Sequence, residues 1–414
     1  MRKSKIFHPT YATEFRCIGS SCSDSCCVGW LVGVDQDTYE KYQTLPAGPL
    51  RTLLDENVRR TPDDRRGTGA KAFAIIQMPP SLKCPMHNAE GLCQIQVEHG
   101  ATYLSEVCST FPRTQLTVDH IKLEALSLSC PVAARIVLTS FELTNSNSTE
   151  ASYLSWDDDP QKYTSLRSYF WPIREFTVPL LQNRSYPLWQ RMFLLGSFCR
   201  RLEAVSRNEV VGGYSAMESG FSAAIAKGIL RDSIQTIPAH NAHQLHMVME
   251  LINAPMVNTA ESARYRECAN AFVKGIGGEN AITFEDQSAA YAEAYARFYM
   301  PFFLKYPRML ENLLINMVFQ GSFPFGANLF TPAAELQPTR QYALLVTEFA
   351  LIKGMLIGVA GFHKEAFSVE HVVQTVQVIV KYFENNPTFV SHSMELLSAK
   401  GLNNPEGLTM LLRN

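Results

Sequence analysis

Eight of the ten cysteines in this 414-residue chain lie between residues 17 and 130, and this clustering limits what the N-terminal part can be. Disulfide bonds are rare in a reducing compartment, where clustered cysteines usually bind metal or carry redox chemistry. Thiolates are soft ligands that suit both zinc and iron–sulfur clusters. We therefore predict a thiolate-ligated metal site with these candidate ligands: Cys17, Cys22, Cys26, Cys27, Cys84, Cys93, Cys108 and Cys130.

The spacing of these cysteines favours an iron–sulfur cluster over zinc. Zinc sites usually contain paired C-x2-C knuckles, and none occurs here. Cys26 and Cys27 are adjacent, so their side chains diverge by about 100° in a helix or about 180° in a strand, and we do not expect both to bind one metal ion. Eight thiols also exceed the four that one cluster needs. Either two sites are present or several cysteines are structural, and zinc stays the alternative metal.

Other cysteines and histidines are weaker candidates. Cys199 and Cys268 stand alone in apolar, helical surroundings and are predicted to be small buried hydrophobic residues. A histidine can replace a sulfur ligand, although a lone histidine is more often a hydrogen-bonded or surface residue. The histidines of the cysteine-rich segment are His8, His87, His99 and His120.

Charge and hydropathy predict a cytoplasmic protein that binds neither membrane nor nucleic acid. The first residues are basic, but no apolar stretch of signal-peptide length follows them. The longest apolar run, 342–362, contains Glu348 and Lys353. Each charge would cost about 2.5–3.5 kcal/mol at the centre of a bilayer, which favours a buried core helix. The net charge of −2 provides no electropositive face for nucleic acid.

Hydrophobic patterns predict a mainly α fold, in which a small Cys-rich α+β metal-binding domain precedes a helical domain. In the first part, Asp35 or Asp37 offers a helix N-cap, and Gly100 interrupts a helical stretch. Pro131 follows Cys130 at a helix start, where the macrodipole favours a thiolate. A solvated loop is predicted at 55–71. Predicted strands are 30–34 and 72–77, with a hairpin at 114–118 and 121–129.

The polar segment 143–161 is the predicted domain boundary, placed near residue 150. It divides the chain into a Cys-rich domain, 1–150, and a helical domain, 151–414. The acidic run 157–159 could attract a lysine, although a solvated linker is the preferred interpretation. Apolar residues at 3.6-residue spacing predict helices at 188–205, 243–251, 288–319, 341–362, 369–383 and 391–397.

The chain lacks the sequence motifs of several enzyme classes. The chain contains no strand-GxGxxG-helix unit, no GxSxG elbow, no HExxH and no GxxxxGK[ST] sequence. The glycine-rich run at 275–279, GIGGE, has neither the spacing nor the context of a nucleotide-binding loop. A doubly wound nucleotide-binding enzyme is therefore disfavoured.

The cysteine motifs as a group resemble those of a known family, over about the first third of the chain. They are similar to the motifs of the bacterial flagellin lysine-N-methylases and, with wider first intervals, to the CxxCxxCC group of zinc- or iron-chelating domains. The segments that carry the resemblance are Cys17-Ile-Gly-Ser-Ser-Cys22-Ser-Asp-Ser-Cys26-Cys27-Val-Gly-Trp30, Cys84-Pro85, Cys93-Gln-Ile95, Cys108-Ser-Thr-Phe-Pro-Arg113 and Leu128-Ser-Cys130-Pro131.

This resemblance implies methyl transfer from S-adenosylmethionine to surface lysines of flagellin, dependent on a 4Fe-4S iron–sulfur cluster with the eight N-terminal cysteines as candidate ligands. The chain departs from the common radical loop C-x3-C-x2-C, because Gly29 stands at the third position after Cys22 and Cys26. A standard radical mechanism is therefore not expected. The alternative function is a non-enzymatic iron- or zinc-binding redox or interaction module.

Methyl transfer to lysine needs a neutral amine. With a pKa near 10.4, forming the free amine at pH 7 costs about 4–5 kcal/mol, which a desolvated pocket or a nearby base must offset. Arg113 could neutralise an anionic cluster or bind a carboxylate, and a plain surface arginine is an equally good interpretation. Candidates to line a lysine pocket are Glu285, Asp286 and the stripe Tyr291, Tyr295 and Tyr299, although helix packing is the preferred interpretation of the tyrosines.

Overall fold

The structure is a computed structural model that describes residues 5–7, 9–61, 72–81, 83–118, 121–141, 143, 166–205, 210–253, 262–326, 337–383 and 386–414. The fold is mainly helical, with 66% helix and 7% strand, and its N-terminal region is a small α+β part. The predicted fold class is confirmed to that extent. The metal-binding character of the N-terminal part stays a prediction.

Two three-stranded sheets lie in the N-terminal part. Its strands are β1 (Lys5–Phe7), β2 (Val32–Val34), β3 (Val58–Arg60), β4 (Ala74–Ile76), β5 (Arg113–Val118) and β6 (Ile121–Leu126). The first sheet has the order β1-β6-β5, with β1 parallel to β6 and β5 antiparallel to β6. The second has the order β2-β4-β3 and is antiparallel throughout. The strands predicted near 30–34 and 72–77 and the predicted hairpin are confirmed.

Local signals in the sequence mark several helix ends. The N-terminal helices are α1 (Thr10–Glu14), α2 (Gln36–Gln43), α3 (Pro49–Asn57), α4 (Gln94–His99), α5 (Glu106–Thr110) and α6 (Pro131–Thr139). The Thr38 amide donates to Asp35 Oδ1 at 2.9 Å and caps α2, as predicted. Gly100 ends α4 with a φ of 81°, a left-handed value that glycine adopts without strain. Cys130 is the N-cap of α6.

The loop predicted at 55–71 is wrong over its first six residues. Helix α3 continues to Asn57, and β3 follows at once as the edge strand of the second sheet. Leu54 and Val58 are buried, so this charged stretch contributes apolar side chains to the small core. Residues 62–71 lie outside the described residues.

The apolar side chains form two cores. The smaller core contains residues of β2, α2, α3 and β4 together with Cys84. The larger core joins the helical region to Tyr11, to the first sheet and to α6. The predicted boundary near residue 150 lies outside the described residues, and the domain division stays a prediction.

The helical region contains thirteen described helices, several of them predicted. They are α7 (Phe170–Gln182), α8 (Leu188–Ala204), α9 (Val210–Ala226), α10 (Arg231–Gln235), α11 (Asn241–Ile252), α12 (Ala263–Gly275), α13 (Phe284–Ala294), α14 (Met300–Lys305), α15 (Met309–Gln320), α16 (Pro338–His363), α17 (Val369–Phe383), α18 (Pro387–Ala399) and α19 (Pro405–Met410). The prediction of a single helix at 288–319 is wrong. In the structure this segment contains a π-helical turn at Tyr295–Tyr299 and a break at Pro307, which lacks an amide donor.

Helix α16 lies at the centre of the larger core. The described part of the chain contains one helical segment, Pro338–Ala366, that is long enough and apolar enough to cross a membrane. However, 89% of the apolar window of this segment is buried inside the protein. Lys353, near its middle, is 7% exposed and donates to the Leu412 carbonyl oxygen. The predicted buried core helix is thus observed.

Helices α12 and α16 cross with their backbones in close contact. A Cβ atom placed on Gly275 would lie 1.7 Å from the Gly358 carbonyl oxygen. A Cβ atom on Gly361 would likewise lie 2.5 Å from the Gly275 oxygen. The crossing therefore needs glycine, because a larger residue would force two packed helices apart.

A buried ion pair joins α15 to α8 and the loop before it. Glu311 is 1% exposed and contacts Arg191 Nη1 at 2.7 Å and Arg184 Nη2 at 2.6 Å. Although burial works in the opposite direction, the two arginines hold the pKa of Glu311 below its usual value. The carboxylate is thus charged at neutral pH.

Buried amide side chains of α15 connect the helical region to the N-terminal part. The Tyr11 hydroxyl donates to Asn316 Oδ1 at 2.6 Å, and Asn316 Nδ2 donates to the Leu126 oxygen of β6 at 2.9 Å. Asn312 Nδ2 donates to the Val137 oxygen of α6 at 3.0 Å. These hydrogen bonds fix the cysteine-bearing end of β6 and α6 against the helices.

Candidate functional site

Four of the candidate cysteines belong to the small core. Cys84 is buried there, and Cys27, Cys93 and Cys108 pack against the same core residues. Burial raises the pKa of Cys84 to about 11, and the nearby Cys93, Cys108 and Cys26 add to this effect. Burial likewise raises the pKa of Cys108 to about 11. We call Cys27, Cys84, Cys93 and Cys108 the core set.

Of the other four cysteines, Cys130 is buried in the larger core. Burial raises the pKa of Cys130 to about 11, with smaller contributions from Cys22 and Cys26. The pKa of Cys22 is also raised, first by burial, with Cys26 and Cys17 among the smaller causes. We call Cys17, Cys22, Cys26 and Cys130 the junction set. Cys26 raises the pKa of Cys84, Cys93 and Cys108 as well as that of Cys22 and Cys130, so it lies close to both sets. Whether the eight thiols form one site or two stays open, as it was from the sequence.

The adjacent Cys26 and Cys27 connect the two sets. A hydrogen bond between their thiols, ahead of burial, raises the pKa of Cys26 well above its usual value. The Cys27 carbonyl oxygen accepts from the Cys84 amide at 2.8 Å, which ties Cys27 to the core set. Cys26 is exposed and lines a cleft. The two thiols are therefore in contact, and the divergence expected of neighbouring side chains is wrong for this pair.

Backbone amides point at three of the thiols. The Cys84 sulfur accepts a hydrogen bond from the Met86 amide. The sulfur of Cys93, the N-cap of α4, accepts hydrogen bonds from the amides of Ile95 and Gln96. Cys130 receives the amides of Val132 and Ala133 at the start of α6. The thiolate predicted at Cys130 is wrong for the protein alone, because burial outweighs these amides and raises the pKa.

The chemistry of both sets fits a thiolate-ligated metal. Buried thiols with amide donors become thiolates when a bound cation neutralises them, and hydrogen bonds to sulfur are a regular part of such sites. Among the described residues, no group of three or more His, Cys, Asp or Glu side chains is already placed to hold a metal ion. The eight ligands therefore stay a prediction.

The secondary candidates from the sequence have varied surroundings. The backbone of His87 pairs with Cys93, and burial lowers the pKa of His87, which favours the neutral imidazole that binds metals. The ring of His99 packs on Tyr103 at 5.1 Å. Cys199 and Cys268 are buried, as predicted. His8, His120 and the acidic run 157–159 lie outside the described residues.

The candidate lysine pocket around α13 is not formed by the described side chains. Asp286 forms a capping box with Thr283 at the start of α13. Tyr291 and Tyr299 are buried in the larger core, and the rings of Tyr295 and Tyr299 stack at 5.5 Å. These contacts agree with helix packing, the preferred interpretation of the tyrosine stripe.

A cleft of about 450 Å³ lies where the cysteine-rich part meets the helical region. The rings of Trp30 and Phe111 are 5.6 Å apart on one wall, and Arg113 adds a positive charge. Lys381 and Gln320 belong to the opposite wall. The full lining is Cys26, Trp30, Val107, Thr110, Phe111, Pro112, Arg113, Thr114, Ser127, Ser129, Gln320, Val380 and Lys381. We call it the junction cleft.

A buried polar contact closes one end of the junction cleft. Lys381 Nζ of α17 contacts Asp24 Oδ1 at 2.8 Å, and these side chains are 8% and 15% exposed. Gln377 Nε2 donates to Asp24 Oδ2 at 2.8 Å and to the Ser129 oxygen at 2.9 Å. Sequence reasoning did not select Asp24, Gln377 or Lys381, although Asp24 lies between two candidate ligands.

Arg113 is held between the cleft and the first sheet. Its guanidinium lies 5.1 Å from the centre of the Phe15 ring and donates to the Phe15 oxygen at 3.2 Å. Its Nε lies 3.7 Å from Glu124. Because the side chain is 30% exposed, it can still reach a ligand in the cleft.

Comparison with known proteins identifies the family. Residues 174–411 match the family model of the FliB lysine N-methylase C-terminal domain. Over 180 residues, 43% of this chain and 98% of the relative, the chain is 31% identical to the flagellar biosynthetic protein FliU of Salmonella muenchen. It is 22% identical to lysine-N-methylases of Salmonella typhimurium and Salmonella choleraesuis over 378 residues, 88% of each chain.

No solved structure matches this chain. The family model nevertheless covers more than half of its length, from residue 174 to residue 411. The resemblance of the cysteine motifs indicated the same family from the other end of the chain. The chain therefore belongs to the FliB lysine N-methylase family, whose members are protein-lysine methyltransferases.

Proposed function

We propose that this protein transfers methyl groups from S-adenosylmethionine to lysine side chains of flagellin, in the cytoplasm, with an iron–sulfur cluster bound by its N-terminal cysteines. Membership in the lysine N-methylase family and the flagellar name of the relative FliU support the reaction and the substrate. One observation carries the proposed site. Cys26 of the cysteine motif and Lys381 of the family domain line the same junction cleft.

The junction cleft suits the methyl donor in size and chemistry. Its volume of about 450 Å³ is in the range of small-molecule sites. Trp30 and Phe111 offer aromatic faces on which an adenine ring can stack. Arg113 offers a guanidinium to the carboxylate of the donor, a pairing that is strong because both groups are charged.

The reaction can be balanced without any other reactant. The lone pair of a neutral lysine amine forms a bond to the methyl carbon, the bond from that carbon to the sulfonium sulfur breaks, and the sulfur keeps the electron pair. The amine then releases one proton to solvent or a base. The described lining of the junction cleft contains no Asp or Glu side chain, so no carboxylate of the lining stabilises the protonated form of a lysine there. Arg113 and Lys381 are cations of the lining but are paired with Glu124 and Asp24.

The two cysteine sets receive different roles in this proposal. We assign the cluster to the junction set, because Cys26 lines the junction cleft. We assign a structural metal to the core set, because its thiols pack inside the small core. An iron–sulfur cluster supplies a one-electron redox centre and a rigid connection between its ligands. Zinc is the alternative metal for either set.

The test of the reaction uses protein purified without oxygen, flagellin and S-adenosylmethionine with an isotopically labelled methyl group. Mass spectrometry of flagellin peptides is expected to find the label on lysine. Cys26→Ser should remove most of the activity, whereas Cys199→Ala, which changes a buried cysteine outside both sets, should keep it. Iron-replete protein that places no label on lysine would refute the proposed reaction.

Metal analysis tests the assignment of the two sets. Cys22→Ser is expected to lower iron and sulfide content, and Cys93→Ser to leave the iron in place. If both variants lose iron equally, the division of roles is wrong. Zinc without iron in the wild-type protein, together with no methyl transfer, would instead support a metal-stabilised interaction module.

A further inference from the structure

A second pocket, of about 490 Å³, lies between α7 and α9 in the helical region. Phe176 of α7 and Tyr214 of α9 form aromatic walls, and each helix adds a carboxylate, Glu175 and Glu218. The rest of the surface is apolar or weakly polar. The complete lining is Pro172, Glu175, Phe176, Pro179, Leu180, Asn183, Tyr214, Glu218, Ser222, Ile225 and Ala226. We call it the acidic pocket.

The charge of the acidic pocket is negative. Its lining contains two carboxylates and, among the residues that the structure describes, no lysine, arginine or histidine. Both carboxylates raise the pKa of the Tyr214 hydroxyl. Burial is the largest cause of this rise, Glu218 contributes next, and Glu175 contributes more weakly. A ligand with a positive charge is therefore favoured in this pocket, and an anion is disfavoured.

The Tyr214 hydroxyl is a second and independent sign of a ligand. Tyr214 is 4% exposed, and its hydroxyl oxygen is buried with no hydrogen-bond partner among the residues that the structure describes. Buried polar groups in native proteins are nearly always satisfied, so an orphaned hydroxyl in the wall of a pocket points to a partner that the pocket receives. As an acceptor, this oxygen suits an ammonium group.

The walls of the acidic pocket are rigid. Phe176 stacks on Phe198 of α8 with ring centres 4.1 Å apart, and Tyr214 packs on Tyr169 at 4.4 Å. The Tyr186 hydroxyl donates to the Ile225 oxygen at 2.8 Å and fixes the end of α9 to the loop before α8. The Ser222 hydroxyl donates to Glu218 at 2.8 Å, which orients that carboxylate. The site is thus formed before a ligand enters.

We propose that the acidic pocket binds a lysine side chain of the protein substrate in its charged, ammonium form, as a recognition site separate from the junction cleft. This inference rests on the proposed function. The four methylene groups of lysine match the apolar wall of prolines, Leu180 and Ile225. The ammonium group meets the Glu218 carboxylate, the Tyr214 hydroxyl and the faces of the aromatic rings.

The sign of the charge separates this site from the place of methyl transfer. Carboxylates stabilise the protonated form of lysine and raise its pKa, whereas methyl transfer needs the neutral amine. The acidic pocket therefore suits a lysine that positions the substrate. The reacting lysine is instead assigned to the junction cleft, whose described lining contains no carboxylate.

The experiment measures binding of Nα-acetyl-L-lysine methylamide to the full-length protein by ligand-observed NMR. The neutral probe Nα-acetyl-L-norleucine methylamide has nearly the same shape. Glu218→Gln is expected to weaken lysine binding about tenfold, because it removes a contact between charged groups. Tyr214→Phe is expected to weaken it about threefold or more. Glu395→Gln, which removes an exposed carboxylate of α18, is the matched control and should keep the wild-type affinity.

Equal binding of the norleucine probe, or unchanged affinity in Glu218→Gln and Tyr214→Phe, would overturn the proposal. Tyr214→Phe removes only a hydroxyl without a partner in the described part of the chain, so this variant should fold at least as well as the wild type. It therefore keeps the test valid if Glu218→Gln unfolds. Binding needs neither donor nor cluster. Loss of methyl transfer with intact lysine binding would therefore refute the proposed function and leave the pocket assignment standing.

Discussion

Asp24→Asn is expected to release the cysteine loop, residues 22–27, from α17 without unfolding the helical core. In the wild type, Asp24 Oδ1 contacts Lys381 and Asp24 Oδ2 accepts from Gln377. Asparagine has one oxygen acceptor and one NH₂ group, so its NH₂ group would face either Lys381 or Gln377. Both of these side chains are donors, and one of them would lose its acceptor. Lys381, only 8% exposed, would then be a buried charge without its anion.

The magnitude follows from the burial of the pair. Removing one partner of a buried ion pair costs about 3–5 kcal/mol, and we take the lower end because Asp24 is 15% exposed. About 3 kcal/mol corresponds to about a 100-fold rise in the population in which the loop is open. The loss should stay local, because the loop contributes little to the larger core.

Hydrogen exchange measured by mass spectrometry is the assay, with chelator present so that only protein contacts hold the loop. Amides of the cysteine loop should exchange about 100-fold faster in Asp24→Asn, while peptides from α16 should keep their protection. Glu370→Gln is the control. Glu370 lies on α17, as Lys381 does, and forms an ion pair with Arg135 of α6, but the Glu370 side chain is 66% exposed. Unchanged exchange in the loop would refute the reasoning, and so would equal acceleration in α16.

Three further predictions concern stability, measured by urea unfolding. Glu311→Gln should lower the free energy of unfolding by about 3–5 kcal/mol, because two arginines lose a buried partner, whereas Glu406→Gln at an exposed pair should change it by less than about 1 kcal/mol. Burial lowers the pKa of Lys353 to about 7. Above pH 7 the folded chain therefore binds fewer protons than the unfolded chain, and the stability of the wild type relative to Lys353→Met should rise between pH 7 and 8.5 by up to about 1.4 kcal/mol per pH unit. Gly275→Ala should destabilise by about 1–3 kcal/mol or more through a backbone clash, while Gly220→Ala, in an open helical position, should stabilise by about 0.5–1 kcal/mol. A change of stability with the sign opposite to the one expected here, for any of these variants, would contradict the packing described.

Local chemistry made the N-terminal elements predictable. The Asp35 cap and the Gly100 break depend on residues within one helical turn, so the sequence contains the whole signal. Helix α7 lacked such a signal, because Pro172 and Pro179 lie within it and suggest an irregular segment. Pro172 falls in the first turn, where proline is tolerated, and packing against α8 and α15 supports the rest.

The sites could not be predicted in the same way, because their residues are distant in sequence. The junction cleft combines Cys26, Arg113, Gln320 and Lys381. The cysteine spacing indicated thiolate ligands, yet only the fold separates the core set from the junction set. At Cys130 the local signal of a helix start was present, but burial, which depends on the whole fold, determined the direction of its pKa.

The two pockets differ in their carboxylates, and in the proposed scheme this difference lets one protein both hold and modify lysine. Free lysine at pH 7 is charged, so an acidic surface collects lysine-rich substrates, and the carboxylates of Glu175 and Glu218 provide one. The same carboxylates would oppose methyl transfer, because they stabilise the protonated amine. The described lining of the junction cleft contains no carboxylate, so it does not stabilise the protonated amine in this way. In the proposed scheme, separating the two sites lets binding energy from one lysine help to pay for deprotonating another.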